Sequence, residues 1–363
     1  MRRRAQVAWI TCIATLVYDV PSFGMDAESV QSRLMSFESK LNAALARRAP
    51  LAADRQTNAY RLIHGAADGF ADLAVDRYAD VLVAHLYTHG QRVPPPTRLL
   101  ETLAERVGAR SVYIKYRPDQ ASVLDEATRE ELAPRAPLLG PPVEELEVLE
   151  NGLRFIARPA EGLSPGLFLD MRETRAWVRA QAASRSVLNC FAYTCGFGIA
   201  AWRGGAARAA NLDISRRYLE WGQASAALNG LSPPRTDFIF GDVFDWLKRF
   251  RRAGTTFDLV ILDPPSYATT KNTRFVVSRD YALLVALAAP VVTSGGWLLA
   301  CANSSALPAG TFAGQVRKGL AQAEAGLAGV EVGPMQHEPA LDFPVMPGDW
   351  PYLKVLPIAL PRA

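Results

Sequence analysis

Asp213, Asp242 and Asp263 each close an apolar run in the second half of the chain, and carboxylates so placed can do binding chemistry. Ahead of them lies a tight turn, Thr194-Cys195-Gly196-Phe197-Gly198. Glycines there let a ligand approach the backbone, and an acidic side chain at the end of the next strand accepts from ribose hydroxyls. Asp242 is placed to accept from an adenine amino group. The pattern therefore suits the adenosine part of a nucleotide-like cofactor. Gly196-Phe197-Gly198 departs from G-x-G-x-x-G, which argues against NAD. An ordinary glycine turn would account for the first strand–turn–helix unit alone. Three successive strand ends with polar groups instead describe a crevice at the switch point of a doubly wound sheet.

The elements that must position these groups alternate strand and helix. Residues 187–191 read as a buried parallel strand, 199–202 as a small-residue helix ended by Gly204-Gly205, and 209–212 as a second strand. Ser215 is placed to cap a helix over 216–229, and 257–262 is a further buried strand. The fold class is α/β, a doubly wound, mostly parallel sheet preceded by a smaller α+β domain. In that domain, strands are expected at 57–65, 73–78, 81–87 and 111–116, with a helix at 97–107 after Pro94-Pro95-Pro96. A hairpin turns at Asn151-Gly152. Residues 1–24 form a leader or an over-extended start with Met25 as initiator, and 25–56 hold an N-terminal helix. The α+β domain then covers 57–160 and the doubly wound domain 161–363, with the boundary near 159–162.

The 363 residues carry 49% hydrophobic and 21% charged side chains, as a globular protein does. A balance of 40 basic to 36 acidic residues permits a nucleic-acid partner without demanding one. Cys12, Cys190, Cys195 and Cys301 show no metal-ligand or disulfide spacing, and His64, His85, His89 and His337 are scattered. No metal and no membrane is expected. The run 7–14 is apolar but too short to span a bilayer, which takes ~20 residues.

The stretches NCFAYTCGFGIAA, LDISRRYLEWGQASAALNGL and LDPPSY resemble the class I S-adenosylmethionine-dependent methyltransferases. Within them the likeness is to the large-subunit ribosomal RNA base methyltransferases, whose branches make 5-methylcytosine or 7-methylguanine. It extends from about Thr57 to the C-terminus. The resemblance implies a Rossmann-like fold, S-adenosylmethionine as cofactor, ribosomal RNA as partner and a cytoplasmic location; a homodimer is left open. Phe168-Leu169-Asp170-Met171-Arg172 matches an F-L-D-x-R segment whose polar residues help hold the cofactor, although Asp170 and Arg172 also fit a helix-start ion pair. The same likeness assigns Phe191, Tyr193, Thr194, Gly196 and Gly198 to the cofactor turn. It adds Asp213, Ser215, Asn229, Asp242, Val243 and Asp263 along the crevice. Leu163-Ser164-Pro165-Gly166 replaces the family's usual Gln-Lys-Thr-Gly, and Phe343 stands where a histidine is usual. The small RNA-binding domain that usually opens the 5-methylcytosine members finds too few residues before Thr57. Lys248-Arg249-Phe250-Arg251-Arg252 is a candidate RNA patch or a solvated helix end.

Chemistry is expected at Asp263-Pro264-Pro265-Ser266-Tyr267 and at Cys301 with Asn303. Consecutive prolines stiffen the backbone and expose carbonyls. Asp263 and a carbonyl beside Pro264 can accept from a base's amino group while Tyr267 stacks on its ring. Cytosine carbon-5 needs a thiolate to add first at carbon-6. The 5-methylcytosine branch has a cysteine at the position aligned with Asn303, and Cys301 lies two residues deeper in the same strand. The 7-methylguanine branch has asparagine there and transfers directly, which position 303 favours here. A non-catalytic binding homologue and a small-molecule methyltransferase are the competing readings.

Overall fold

A computed structural model describes residues 27–88, 93–118, 130–269, 274–304, 307–335, 340–346 and 351–362. The leader at 1–24, His89, His337 and Lys271-Asn272 lie outside the described residues. The chain divides into two units, interleaved rather than cut once near 159–162.

The first unit runs to Glu150 and takes in Ala157–Pro165 and Ala340–Pro344. Helices α1 (Ala27–Arg47) and α2 (Ala49–Ala53) precede strands β1 (Ala59–His64), β2 (Leu73–Tyr78) and β3 (Val81–Thr88). Helix α3 (Thr97–Val107) then leads to β4 (Ser111–Pro118). The sheet order is β1-β2-β3-β4, antiparallel except for the parallel β3–β4 pair that α3 connects. Alternation along the strands gives the sheet two faces of different character. Leu82, Ala84, Leu86, Val112 and Ile114 pack with Leu99, Leu100 and Leu103 of α3. The other face mixes buried Val81, Val83 and Tyr113 with charged and polar side chains. Across it Arg61 pairs with Asp76 in register, and His85 with Lys115.

Arg61 donates to both Asp76 oxygens, from Nε at 2.7 Å and Nη2 at 3.0 Å. Arg117 Nε donates to His85 Nδ1 at 3.2 Å, so that nitrogen is the acceptor and Nε2–H faces Asp76 Oδ2 at 3.0 Å. Burial, with Arg117 second, lowers the His85 pKa to about 4 and keeps the ring neutral. Lys115 is fully buried and its ammonium has no hydrogen-bond partner among the described residues.

Strand β5 (Leu146–Glu150) leads into the Asn151-Gly152 turn, whose two residues are left-handed as a tight hairpin requires. The chain first passes to the second unit at that turn and returns to the first at Ala157, the last residue of β6 (Leu153–Ala157). In the second unit, α4 (Arg172–Gln181) is followed by β7 (Ser186–Cys190), α5 (Gly196–Arg203), β8 (Arg208–Asp213) and α6 (Arg216–Leu228). Then come β9 (Phe238–Phe240), α7 (Val243–Ala253) and β10 (Phe257–Leu262). A short hairpin, β11 (Tyr267–Thr269) and β12 (Arg274–Val276), precedes α8 (Val277–Ala288), β13 (Val292–Asn303), α9 (Ala309–Ala323) and β14 (Leu353–Ala359).

The sheet runs β14-β13-β10-β7-β8-β9, all parallel except β14. This is the doubly wound class expected. Val260, Leu262, Leu298 and Ala300 face α7, α8 and α9, packing on Phe244, Leu284 and Phe312. Leu259, Ile261, Leu299 and Cys301 face α4 and α5, against Val178, Phe197 and Ala201. Central strands buried on both faces read as continuous apolar runs, which is why they were visible in the sequence. Each fully buried Leu or Ile there contributes roughly 1.5–3 kcal/mol over exposure. No helix among the described residues is long and apolar enough to cross a membrane.

Candidate active site

Register brings the carboxyl ends of five strands to one edge of the second unit's sheet. Cys190 pairs with both Leu212 and Leu262, Leu262 with Ala300, and Asp213 with Phe240. Beyond β7 the chain turns sharply. Phe191, Tyr193 and Cys195 are all left-handed, with φ of 59°, 48° and 62°. Non-glycine residues rarely adopt this conformation, and such strain gathers at ligand sites. The Asp213 carboxylate holds the turn, accepting from Tyr193 N and Ser215 N at 2.8 Å each. Burial raises the Asp213 pKa against the opposing pull of the Ser215, Tyr193 and Ile214 backbone N–H groups. A carboxylate has about four lone-pair sites, so capacity remains for ligand hydroxyls.

The helix begins three residues earlier than expected, at Gly196. A Cβ on Gly198 would collide with the Asn211 amide, which Asn189 Nδ2 holds at 2.9 Å. Gly198 thus seats α5 on the sheet, whereas a Cβ on Gly196 would meet Arg175 and Leu167 only at ordinary contact distance. Thr194 is buried and its hydroxyl donates to Gly166 O at 2.5 Å. Cys190 and Cys195 are buried thiols whose pKa burial pushes up.

Ser215 caps α6 at Tyr218 N (3.3 Å), and Asp242 Oδ1 caps α7 at Phe244 N (2.8 Å). Val243 has its side chain in the core and offers the crevice only its backbone. Phe191 likewise turns its ring inward, 6.5 Å from that of Phe275. Phe168, Tyr193 and Tyr218 form an aromatic rim, with ring centroids 5.3 and 4.6 Å apart. Asn229 does not join this group. It lies beyond the far end of α6, about 20 Å along the axis from Ser215, and bonds Arg154 N (2.9 Å), Arg154 O (2.6 Å) and Ser225 O (2.8 Å). It is a helix-end tie to β6, and the expectation that it holds cofactor is corrected.

The second half of the site gathers around Asp263. Pro264 is buried, whereas Tyr267 at the start of the β11–β12 hairpin is 57% exposed. Asn303 closes β13 at the surface. Its Nδ2 donates to Asp170 Oδ2 at 3.0 Å, and the same oxygen accepts from Tyr352 Oη at 2.9 Å. Ser266 Oγ donates to Asn303 O at 2.7 Å, tying the Asp-Pro-Pro turn to β13. Asp263 keeps some surface but is densely surrounded by protein. That crowding, with the Asp170 carboxylate second, raises its pKa to about 7 against the pull of Arg175. Cys301 is fully buried, and burial, then Asp263 and Asp170, pushes its thiol well up. Arg172 is buried with Nε 3.1 Å from Glu173, so Glu173 gives it an ion pair at the helix start.

Arg175 and Tyr352 escaped the sequence reading. Arg175 sits one turn past Arg172, is buried, and donates to Phe168 O at 2.7 Å. Its spacing was a usable signal. Tyr352 was not assigned to the site, because only the antiparallel register of β14, with Asn303 opposite Leu353, brings it there. Among the described residues no cluster of His, Cys, Asp and Glu could hold a metal.

A parallel sheet whose strand order reverses between β7 and β10, a strained turn braced by Asp213 and an acidic far wall define a class I methyltransferase. The chain belongs to the S-adenosylmethionine-dependent methyltransferase family, whose model matches residues 60–319. It is 34% identical over 278 residues to "Ribosomal RNA large subunit methyltransferase I" of Aliivibrio fischeri, spanning 76% of this chain and 68% of that one. It is 37% identical over 289 residues to "Ribosomal RNA large subunit methyltransferase" of Deinococcus radiodurans, spanning 75% and 67%. The crystal structure of SMU.776, described as a methyltransferase complexed with SAH, matches with a TM-score of 0.77 at 26% identity, over 94% of this chain and 83% of that one.

The residues present fit the cofactor. The strained turn after β7 lies beside the Asp213 carboxylate, which has spare acceptors, and the rim supplies aromatic walls. S-adenosylmethionine, when bound, supplies an electrophilic methyl on a sulfonium that is its own leaving group. The protein's part is to hold the nucleophile in line and exclude water.

Proposed function

We propose that this methyltransferase modifies a base of large-subunit ribosomal RNA, in the cytoplasm, by direct transfer to a ring nitrogen of the kind guanine N7 provides. The names of its relatives support the RNA class. One observation carries the choice of chemistry. The residue at the exposed end of β13 is Asn303, while Cys301 faces the core with a thiol that burial keeps protonated. Cytosine-5 methylation needs a thiolate that can reach carbon-6, and a protonated core thiol is a poor nucleophile. In this reading Asp213 and Asp242 hold the adenosine, Asp263 and the Pro264 carbonyl accept from the base, and Tyr267 stacks on it.

Mapping methylation across ribosomal RNA in a deletion strain tests the substrate. For the chemistry, Cys301→Ser should keep at least about a tenth of the activity, and 5-fluorocytosine RNA should give no protein adduct. A Cys301-dependent adduct would establish the covalent cytosine route instead.

A further inference from the structure

Tyr352, Asp170, Asn303 and Ser266 form one continuous chain of hydrogen bonds beside Asp263. The Tyr352 hydroxyl and the Asn303 Nδ2 both end on a single oxygen, Asp170 Oδ2, at 2.9 and 3.0 Å. Ser266 Oγ then fastens Asn303 O to the Asp-Pro-Pro turn at 2.7 Å. The four residues come from separate parts of the second unit: the start of β14, the segment before α4, the end of β13 and the turn after β10.

A carboxylate has no proton to give, so the Asn303 amide must face Asp170 with its nitrogen. That choice turns Oδ1 the other way, and Oδ1 has no partner among the described residues. Without the brace, an exposed amide could present either end. Among the described residues the basic groups near this cluster are Arg172, two residues beyond Asp170, together with Arg175 and Lys354. Arg175 opposes Asp263 from α4, and Lys354 of β14 donates to the carbonyls of Tyr352 and Ser304. Tyr281 and Cys301 complete the surroundings as protonated groups.

We propose that Tyr352 is a positioning residue: acting through Asp170, it locks the Asn303 amide with its oxygen outward, as an acceptor for an N–H of the target beside the Asp263 carboxyl. This rests on the base-methyltransferase reading above. Tyr352 contributes no atom to the reaction, so its effect must pass through Asn303.

The test is a double-mutant cycle on the full-length protein, with methyl transfer to the mapped ribosomal RNA fragment as readout. Tyr352→Phe keeps the ring and removes only the donor; Asn303→Ala removes the amide. Each should lower kcat by roughly tenfold or more with little change in KM for RNA, because only alignment is lost. The double variant should be no worse than Asn303→Ala alone, since residues acting as one unit are not additive. Losses that multiply, or a Tyr352→Phe enzyme within about twofold of wild type, would overturn the proposal. A readout without RNA stands beside it: the Asn303 side-chain amide resonance, assigned by its loss in Asn303→Ala, should shift and exchange faster in Tyr352→Phe. An unmoved resonance would equally overturn the brace. Wild-type protein that methylates no RNA, with the resonance shifting as expected, would instead defeat the substrate reading and leave the brace standing.

Discussion

Asp213 braces the strained turn that follows β7. Its two oxygens order the Tyr193 and Ser215 N–H groups, and charge-assisted bonds to ligand hydroxyls would use the remaining lone pairs. Asp213→Ala is expected to weaken S-adenosylmethionine binding by roughly 1–3 kcal/mol, measured by calorimetry. Unchanged affinity would mean that the ribose is held elsewhere. Asp263 makes a different prediction, about stability. Its folded-state pKa of about 7 lies above the ordinary carboxylate value. Between about pH 4 and pH 7 the folded chain therefore binds more protons than the unfolded one, and stability falls as pH rises through that window. Asp263→Asn carries no such penalty. Its melting temperature should exceed wild type at pH 8, the gap should close near pH 4, and methyl transfer should drop.

Among the elements, the four-stranded sheet of the first unit carries an unusual load on its mixed face. Lys115 is buried in β4 without a hydrogen-bond partner among the described residues, and burial, then Arg117, lowers its pKa to about 7. The unfolded chain binds that proton more tightly, so this contribution to stability increases with pH between about 7 and 10. Lys115→Met should stabilise the protein at pH 7 by on the order of 2–4 kcal/mol, with the advantage shrinking toward pH 10 in denaturant titrations. The element scale also explains what the sequence could reveal. Apolar runs at 187–190 and 257–262 announce central parallel strands, and an acidic residue just beyond such a run announces a crevice. Gly198 and Asn229 show that local motifs do not separate ligand contact from packing. One glycine makes room for the Asn211 amide and one asparagine ties a helix end to a neighbouring strand. The β11–β12 hairpin and the place of Tyr352 beside Asn303 rest on pairing between separated segments, which local pattern does not carry.

For the whole molecule, each of the two units has a hydrophobic core of its own. A ligand that binds only the folded second unit should raise that unit's transition alone. At a hundredfold excess over Kd, S-adenosylmethionine is expected to add about 2.7 kcal/mol there. Scanning calorimetry with and without cofactor would then show one transition moving and one fixed. A single transition that moves as a whole would show the units to unfold together.

The antiparallel strand at the sheet's edge has a consequence in time. β14 covers β13 over seven paired positions, from Trp297 opposite Ala359 to Asn303 opposite Leu353. About fifty residues separate those partners along the chain, and at ~5–20 residues per second a ribosome needs on the order of 3–10 s to make them. Through that interval the edge of β13 lacks its partner, and Asp170 has neither Tyr352 nor a settled Asn303. The newborn chain therefore has the strained turn after β7 complete while the hydrogen bonds on Asp170 are still unfinished. The β13 edge is covered only once β14 has been made, and until then an unpaired strand edge is a template for aggregation.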